Sequence, residues 1–315
     1  MMSRVSEIYP SDKVTLRDVS LRDGLQLVRE VPSTESKVEW MRREYEAGVR
    51  HFELGSFLPA TRMPQFADIR EMIDEAAKLK GAHSAALALN DRGATDAIET
   101  AVGEIVCVVS ATEEHSNANA RRSRAEAIDL VRRTAALSRS SDRKPLVSTG
   151  IAMAFGCSIA GEVPQDEVIR LAEACFEAGA DIVGIADTVG FAGPAQIQSL
   201  CERMTRLCGD KPFNVHLHDT RGMGVANASA ALDAGARILD GSLGGLGGCP
   251  FAPGASGNVV MEDLVFLCES KGFRTGIDLD ALIAVREIPQ REMPGEKLYG
   301  AVARAGLPPM VEWRR

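Results

Sequence analysis

The stretch LVSTGIAMAFGCSIAGEVPQDEVIRLAEACFEAGADIVGIAD, residues 146–187, decides the fold. It contains an apolar run (146–155), an amphipathic stretch with helical periodicity (164–179), and a second apolar run (181–187). Apolar runs rich in β-branched residues predict buried strands, and the amphipathic stretch between them predicts a helix ending at Gly179 in a left-handed cap. A strand, a crossover helix and a second strand predict two parallel neighbours in one sheet.

The same alternation continues in both directions along the chain. The other candidate strands are VTLRDVSL (14–21), RHFELGSF (50–57), HSAALAL (83–89), EIVCVVS (104–110), FNVHLHD (213–219) and RILDGSL (237–243). Helical patterns lie between them, for example at 34–48, 123–139 and 258–272. Eight strands separated by helices favour an α/β fold closed as a (β/α)₈ TIM barrel. An open doubly wound sheet is the alternative, because alternation alone does not prove closure.

The domain organisation follows from this pattern. We predict a single catalytic domain over residues 1–315, with the barrel at about 13–272. Residues 273–315 form a C-terminal helical extension that packs on the barrel or makes an oligomer contact, such as that of a homodimer.

Composition excludes several classes of protein. The formal net charge of −8 argues against a nucleic-acid partner, because phosphate binding needs an excess of Lys and Arg. The seven cysteines form no close pair, which indicates reduced thiols. The sequence shows neither the apolar region of a secretory signal nor a run of 18 apolar residues, so we expect a cytoplasmic protein without membrane spans.

Polar side chains cluster near the C-terminal ends of the predicted strands, where barrel enzymes carry their reactive groups. Arg22 and Asp23 follow the first strand, Glu53 lies within the second, and Asp187 closes the sixth. One such residue alone would more often be a satisfied core residue. Their repeated position at strand ends indicates a site at one end of the barrel.

Two histidines at the end of the seventh strand point to a metal ion. His216 and His218 are two residues apart, so both imidazoles lie on the same face of the strand. Asp219 follows directly, and Asp23 lies at the end of another strand. Two imidazoles, a carboxylate and an amide oxygen would form a mixed N and O ligand set. Such a set favours Mg²⁺ or Mn²⁺ over a structural zinc, although zinc stays open.

Two other histidines have a different position. His51 and His83 begin their predicted strands, at the end of the barrel away from the chemistry. We expect them to be structural.

The glycine-rich stretch GSLGGLGGCPFAPGASGN (241–258) follows the eighth strand and has two interpretations. Its backbone N–H groups could bind a phosphate, as loops at this place do in many barrels. Alternatively, the glycines act as hinges for a loop that carries Cys249 over the cation. Cys249 lies between Gly248 and Pro250 rather than in an apolar helical stripe, which argues against a role in the core.

Five segments resemble, in order, the motifs of the hydroxymethylglutaryl-CoA lyase family. They are LRDGLQ (21–26), ELGSF (53–57), ADTVG (186–190), VHLHDTRGMGVAN (215–227) and GLGGCPFAPGASGN (245–258). The HxHD motif and the early RDG are shared with a wider superfamily that includes isopropylmalate and homocitrate synthases and carboxylase transferase domains. The cysteine loop is specific to the lyase branch.

The resemblance implies a divalent-metal-dependent lyase. It would cleave a carbon–carbon bond of a 3-hydroxy-3-methylglutaryl-CoA-like substrate and release acetyl-CoA and a 3-oxo acid such as acetoacetate. The cation would be held by Asp23, His216, His218 and Asn258.

The resemblance also implies roles around the cation. Arg22 would stabilise the enolate of the leaving acetyl-CoA, and Cys249 would act as a catalytic thiol that donates a proton. His216, Asp23 or a bound water would be the base. The remaining candidates are the polar site residues Glu53 and Asp187 and the CoA-binding residues Arg29 and Asn119.

Several positions depart from the family pattern. Leu21 stands where a proline is usual, His115 where a phenylalanine is usual, and Ser158 where a proline follows the cysteine at 157. These departures fall on expected acyl and CoA contacts, so a larger 3-hydroxy-3-alkylglutaryl-CoA is an alternative substrate. A synthase that condenses acetyl-CoA with a 2-oxo acid is the rival enzyme, and it would not need Cys249. A non-catalytic metal- or acyl-CoA-binding protein is the rival from another class.

Overall fold

The computed structural model describes residues 4–248 and 257–308. Eight parallel strands form one sheet that closes on itself in the order β1 to β8. Arg17 of the first strand lies opposite both His51 of the second strand and Asp240 of the eighth. The predicted (β/α)₈ barrel is therefore confirmed, and the open sheet is excluded.

The strands coincide with the apolar runs of the sequence. They are β1 (Thr15–Asp18), β2 (His51–Ser56), β3 (His83–Leu87), β4 (Glu104–Ser110), β5 (Leu146–Ala152), β6 (Ile182–Asp187), β7 (Asn214–Leu217) and β8 (Ile238–Gly241).

The helices surround the barrel and connect its strands. Those before the eighth strand are α1 (Arg4–Ile8), α2 (Thr34–Glu46), α3 (Ile69–Ala77), α4 (Asp91–Ile98), α5 (Glu113–Ala120), α6 (Arg124–Ser140), α7 (Gln165–Glu177), α8 (Pro194–Cys208) and α9 (Gly224–Asp233). Those after it are α10 (Met261–Ser270), α11 (Leu279–Val285), α12 (Glu287–Glu292) and α13 (Ala301–Ala305). None of the helices in the described ranges is long and apolar enough to cross a membrane.

Two boundaries differ from the prediction for local reasons. The first strand ends at Asp18 because residues Ser20–Gly24 form a turn of π-helix. The fifth strand ends at Ala152 because Met153 has a left-handed backbone, with φ of 60°.

The helix α1 closes the N-terminal end of the barrel. Its Val5 and the following Tyr9 pack against Leu146, Ile182 and Ile238 at the starts of three strands. Tyr9 is 1% exposed, so this end of the barrel is sealed.

The C-terminal helices pack on the outside of the barrel, α11 against α2 and α13 against α10. Arg286 donates to the Glu262 carboxylate and to the Tyr299 carbonyl oxygen. The Tyr299 N–H donates to the carbonyl oxygen of Gly244 at 2.7 Å. The extension thus contacts the chain directly after β8.

Candidate active site

Arg22 and Asp23 lie in the turn of π-helix that follows β1. The Gly24 N–H donates to the Val19 carbonyl oxygen at 3.0 Å, a bond that spans five residues and widens the turn. The Ser20 hydroxyl oxygen accepts from the Leu243 N–H at 2.7 Å, which ties the turn to the end of β8. Isolated π turns occur often at functional sites.

Arg22 is held between two carboxylates. Its Nη2 donates to Glu53 Oε2 at 3.0 Å, and its Nη1 donates to Asp23 Oδ1 at 2.5 Å. Burial opposes ionisation of Asp23, but the Arg22 guanidinium and the nearby imidazoles hold the pKa of Asp23 well below its usual range. The Asp23 carboxylate is therefore charged at neutral pH. Glu53 fixes the orientation of the guanidinium.

The two histidines converge as the sequence predicts. Nε2 of His218 lies 3.1 Å from Nε2 of His216 and 3.6 Å from Asp23 Oδ2. One ligand atom from each of these three side chains lies within 4.8 Å of the other two.

Asp240 orients one imidazole of this cluster. Nδ1 of His216 lies 3.0 Å from Asp240 Oδ2. Although burial opposes it, the charge of Arg17 and the bond to His216 hold the pKa of Asp240 well below its ordinary value. An ionised carboxylate only accepts hydrogen bonds, so Nδ1 of His216 carries a proton and Nε2 is the ring nitrogen directed at the cluster. A carboxylate behind an imidazole is the usual support of a metal-binding histidine.

Asn258 joins the cluster through the segment before α10. An antiparallel bridge places Asn258 beside His218. Its Nδ2 donates to Asp23 Oδ2 at 2.7 Å, while its buried Oδ1 has no hydrogen-bond partner among the described residues. A Cβ added to Gly247, whose φ is 119°, would lie 2.5 Å from Asn258 Nδ2. Glycine at 247 is therefore what allows this close approach.

This donor set fits a divalent cation. Two ligand atoms at right angles on one ion, with bonds of about 2.1 Å, lie about 3 Å apart, close to the separation of the two imidazole nitrogens. The Asp23 carboxylate supplies negative charge, and Asn258 Oδ1 lacks a partner. The residues that would hold the ion are thus Asp23, His216 and His218, with Asn258 as the fourth.

The cluster opens into a cavity of about 180 Å³ that runs through the centre of the barrel. Arg22, Asp23, Glu53, His216 and His218 all line it. His115 and Asn119 of α5 line it as well, and His115 is 2% exposed. The position of Asn119 is compatible with its expected contact to CoA, a role that stays a prediction.

Other expected site residues lie apart from the cavity or outside the described ranges. The Asp187 carboxylate accepts from the backbone N–H groups of Phe191 and Ala192 at 2.8 and 3.1 Å, so it organises the turn after β6. Burial raises the pKa of Asp187 above its ordinary value. Arg29 is exposed beyond the π turn, where its backbone N–H donates to Glu296. Cys249 lies outside the described residues.

Asp240 and its partners were not predicted from the sequence. Arg17 donates to both oxygens of Asp240 at 2.8 and 3.1 Å and to Glu104 at 3.1 Å. A signal existed, since each is a charged residue in a strand that the sequence predicts to be buried. Which of them meets a histidine depends on the register around the barrel.

Comparison with known proteins agrees with this geometry. The HMGL-like family model matches residues 13–288. The chain is 34% identical to hydroxymethylglutaryl-CoA lyase YngG of Bacillus subtilis, over 90% of this chain and 94% of the relative. It is 37% identical to (R)-citramalyl-CoA lyase of Chloroflexus aurantiacus, over 94% of this chain and 95% of the relative.

A solved structure agrees over almost the full length. The HMG-CoA lyase of Acinetobacter baumannii, in complex with coenzyme A and 3-methylmalate, superposes with a TM-score of 0.88 at 33% identity. The match covers 99% of both chains. The chain belongs to the HMGL-like family.

Proposed function

We propose that this chain is a divalent-metal-dependent lyase that cleaves a 3-hydroxy-3-methylglutaryl-CoA-like thioester into acetyl-CoA and a 3-oxo acid such as acetoacetate. The observation that carries the proposal is one cavity lined by Arg22 together with the Asp23, His216 and His218 cluster. The two curated relatives are both acyl-CoA lyases by name, which supports the same class for this chain.

The cation is proposed to be Mg²⁺ or Mn²⁺, because the ligands are mixed nitrogen and oxygen donors. When bound, it would lower the pKa of the substrate's 3-hydroxyl group and orient that group. His216 and Asp23 line the same cavity and are the candidate bases for the hydroxyl proton. As this proton leaves, the bond between C2 and C3 breaks, and its electron pair passes to the thioester carbonyl to form an enolate.

Arg22 is the residue placed to stabilise that enolate. Its guanidinium lines the cavity, and its orientation is fixed by Glu53 and Asp23 before substrate binds. Negative charge develops on the thioester oxygen as the enolate forms. The Arg22 guanidinium is already in position to stabilise this charge, so the activation barrier is lowered. Cys249 is proposed to donate the proton that converts the enolate to acetyl-CoA.

The test is release of acetyl-CoA from 3-hydroxy-3-methylglutaryl-CoA by the purified chain with Mg²⁺ or Mn²⁺. We expect cleavage that a chelator abolishes and that Cys249→Ala reduces by at least about 100-fold, as expected for loss of a proton donor. Cys268→Ala is the matched control, because that thiol is buried in α10 away from the cavity. Condensation of acetyl-CoA with a 2-oxo acid, retained in Cys249→Ala, would instead establish the synthase.

A second candidate substrate is (R)-citramalyl-CoA, favoured by the 37% identity to a lyase of that name over 307 residues. Its acid arm is one carbon shorter, so the same bond cleavage would give acetyl-CoA and pyruvate. Enzymatic determination of pyruvate and acetoacetate in parallel reactions separates the two substrates. The cytoplasmic location and a homodimer stay predictions from the sequence.

A further inference from the structure

The glycine at position 150 has no structural reason to be a glycine. Gly150 lies in the middle of β5, paired with Val108 of β4 and Gly184 of β6. Its φ lies outside the left-handed region, and a Cβ added to it would meet no atom within 4 Å. By contrast, a Cβ added to Gly184 would lie 3.1 Å from Asn214 Cβ. When neither the backbone conformation nor the packing of a strand requires a glycine, the glycine often marks a place that another group approaches closely.

The space at Gly150 belongs to the cavity of the candidate site. Gly150 lines that cavity, as do Ser148 and Ala152, the neighbours two residues away on the same face of the strand. We name the hollow between Gly150 and Gly184 the β5–β6 recess. On the β4 side, the bulkier side chains of Val106 and Val108 line the cavity and form the edge of this recess.

The register places the recess beside the cation cluster. Gly150 pairs with Gly184, and Gly184 pairs with Asn214. His216 is two residues beyond Asn214 on β7. Because the strands of a (β/α)₈ barrel are tilted and staggered by about one residue per strand, Gly150 lies at about the level of His216. Ala186 pairs with His216, so an alanine side chain is what separates the recess from the cluster on this wall.

An independent feature shows that the recess needs an occupant. Asn214 is 9% exposed and borders the recess, and its Nδ2 donates to Asp240 at 3.0 Å. Its Oδ1 is buried and has no hydrogen-bond partner among the residues of the described ranges. A buried carbonyl oxygen is normally satisfied, so a bound group or an ordered water must reach Asn214 at the edge of the recess.

We infer that the β5–β6 recess binds the C3 substituent of the substrate and that this substituent is larger than a methyl group. The inference rests on the proposed function, in which the 3-hydroxyl group lies at the cation. Carbon 3 is tetrahedral. Its hydroxyl and acid arm are held at the cluster, and its thioester arm leaves through the mouth toward CoA. The fourth substituent therefore points toward the wall formed by β5 and β6, where a methyl group would stop short of Gly150.

The test uses thioesters with a methyl, ethyl or propyl group at C3, in the wild type and in Gly150→Val. In the wild type, kcat/KM should rise about fourfold for each added methylene, the gain expected for burying it. Gly150→Val should lower kcat/KM for the propyl substrate at least tenfold more than it lowers kcat/KM for the methyl substrate. Gly193→Val is the matched control, because a Cβ there also meets no atom within 4 Å and Gly193 does not line the cavity. The Gly150→Ala variant should give a kcat/KM for the propyl substrate between the values of the wild type and of Gly150→Val.

Binding measured without turnover separates this inference from the proposed function. We would titrate non-cleavable thioether analogues of the same three lengths by calorimetry. The recess is supported if the propyl analogue binds more tightly than the methyl analogue and Gly150→Val removes this gain. This result counts even if no thioester is cleaved. Cleavage of the methyl substrate with no gain from longer substituents, in kcat/KM or in Kd, overturns the recess and leaves the proposed function standing.

A further analogue, whose C3 substituent is as long as propyl but ends in a hydroxyl group, tests which group donates a hydrogen bond to Asn214 Oδ1. If the hydroxyl analogue binds more tightly, the substituent itself donates to Asn214. If the alkyl analogue binds more tightly, an ordered water does so beneath the substituent. Both results place the substituent in the recess, whereas rejection of both relative to methyl contradicts it.

Discussion

The barrel contains two pairs of histidines, one at each end, and their surroundings give them different roles. At the N-terminal end the rings of His51 and His83 lie 5.6 Å apart, and at the mouth those of His216 and His218 lie 5.1 Å apart. Each pair comes from inward-facing strand positions. Residue type and spacing between rings are therefore not what makes one pair a candidate metal site.

The N-terminal pair is enclosed by protein. The Tyr9 ring packs against both imidazoles, with centroids 4.9 and 5.6 Å away, and its hydroxyl donates to Glu104 at 2.6 Å. His83 Nε2 is 3.1 Å from the same carboxylate. Burial, together with His83, lowers the pKa of His51 to about 3, so this imidazole is neutral. Neither His51 nor His83 lines the cavity.

The pair at the mouth faces a cavity and an ionised carboxylate. His216 is oriented from behind by Asp240, which leaves its Nε2 directed at Asp23 and His218. Here the converging side chains border the open cavity, and Asp240 orients one of them from outside the cluster. The two pairs therefore differ in their neighbours. A site can bind a ligand only if the groups that orient its ligating atoms leave the position of the ligand empty.

The largest expected difference between the two regions is in activity. His218→Ala should remove a cation ligand and lower kcat by about 1000-fold or more, since the cation supplies several kcal/mol of stabilisation. His83→Ala should leave kcat within about twofold and reduce the free energy of unfolding by about 1–3 kcal/mol, because buried Glu104 loses a partner. Steady-state kinetics and urea unfolding measure both. Equal losses of kcat in the two variants would remove the functional distinction between the pairs.

A second prediction concerns Asp240, which connects the two regions through Arg17. Asp240→Asn should weaken cation binding by about 10- to 100-fold, as expected for the partner of a metal-binding imidazole. Glu104→Gln is the matched control, because Glu104 also pairs with Arg17 but does not contact His216. Isothermal titration with Mn²⁺ measures both dissociation constants. Unchanged Mn²⁺ affinity in Asp240→Asn would show that His216 does not depend on this carboxylate.

The smallest expected effect is the pH dependence of stability at the sealed end. Because the pKa of His51 is about 3 in the folded protein and near 6.5 when unfolded, the unfolded chain binds the extra proton between these values. Stability is therefore lost as the pH falls below 6.5, by about 1.4 kcal/mol per unit at most.

The variant His51→Phe isolates this contribution. The difference in unfolding free energy between wild type and variant should shift by about 1.4 kcal/mol per unit between pH 6 and 5, in favour of the variant. Asp18, whose pKa burial raises to about 7, titrates in the same range but is present in both proteins. Urea unfolding at pH 7, 6 and 5 makes the measurement. Parallel pH profiles would show that His51 is not forced to stay neutral.

Much of the fold was predictable because it depends on local periodicity. The run at 104–110 became β4 with the same bounds, and the helix expected at 34–48 begins at Thr34. The π turn at Ser20–Gly24 was not predictable, because it depends on the bond between Ser20 and Leu243, residues far apart in the chain. Its consequence is functional, since the turn presents Arg22 and Asp23 to the cavity.

The sequence by itself determined the alternation of strands and helices, the inward face shared by His216 and His218, and the motifs that mark the family. These depend on the period of a strand and on residues close in the chain. Only the tertiary structure decided that Asp240 supports His216, that Asp187 organises a turn, and that Gly150 leaves a recess beside the cation cluster. Closing the barrel fixes the register between strands, and register decides which distant side chains meet and where none fills the space.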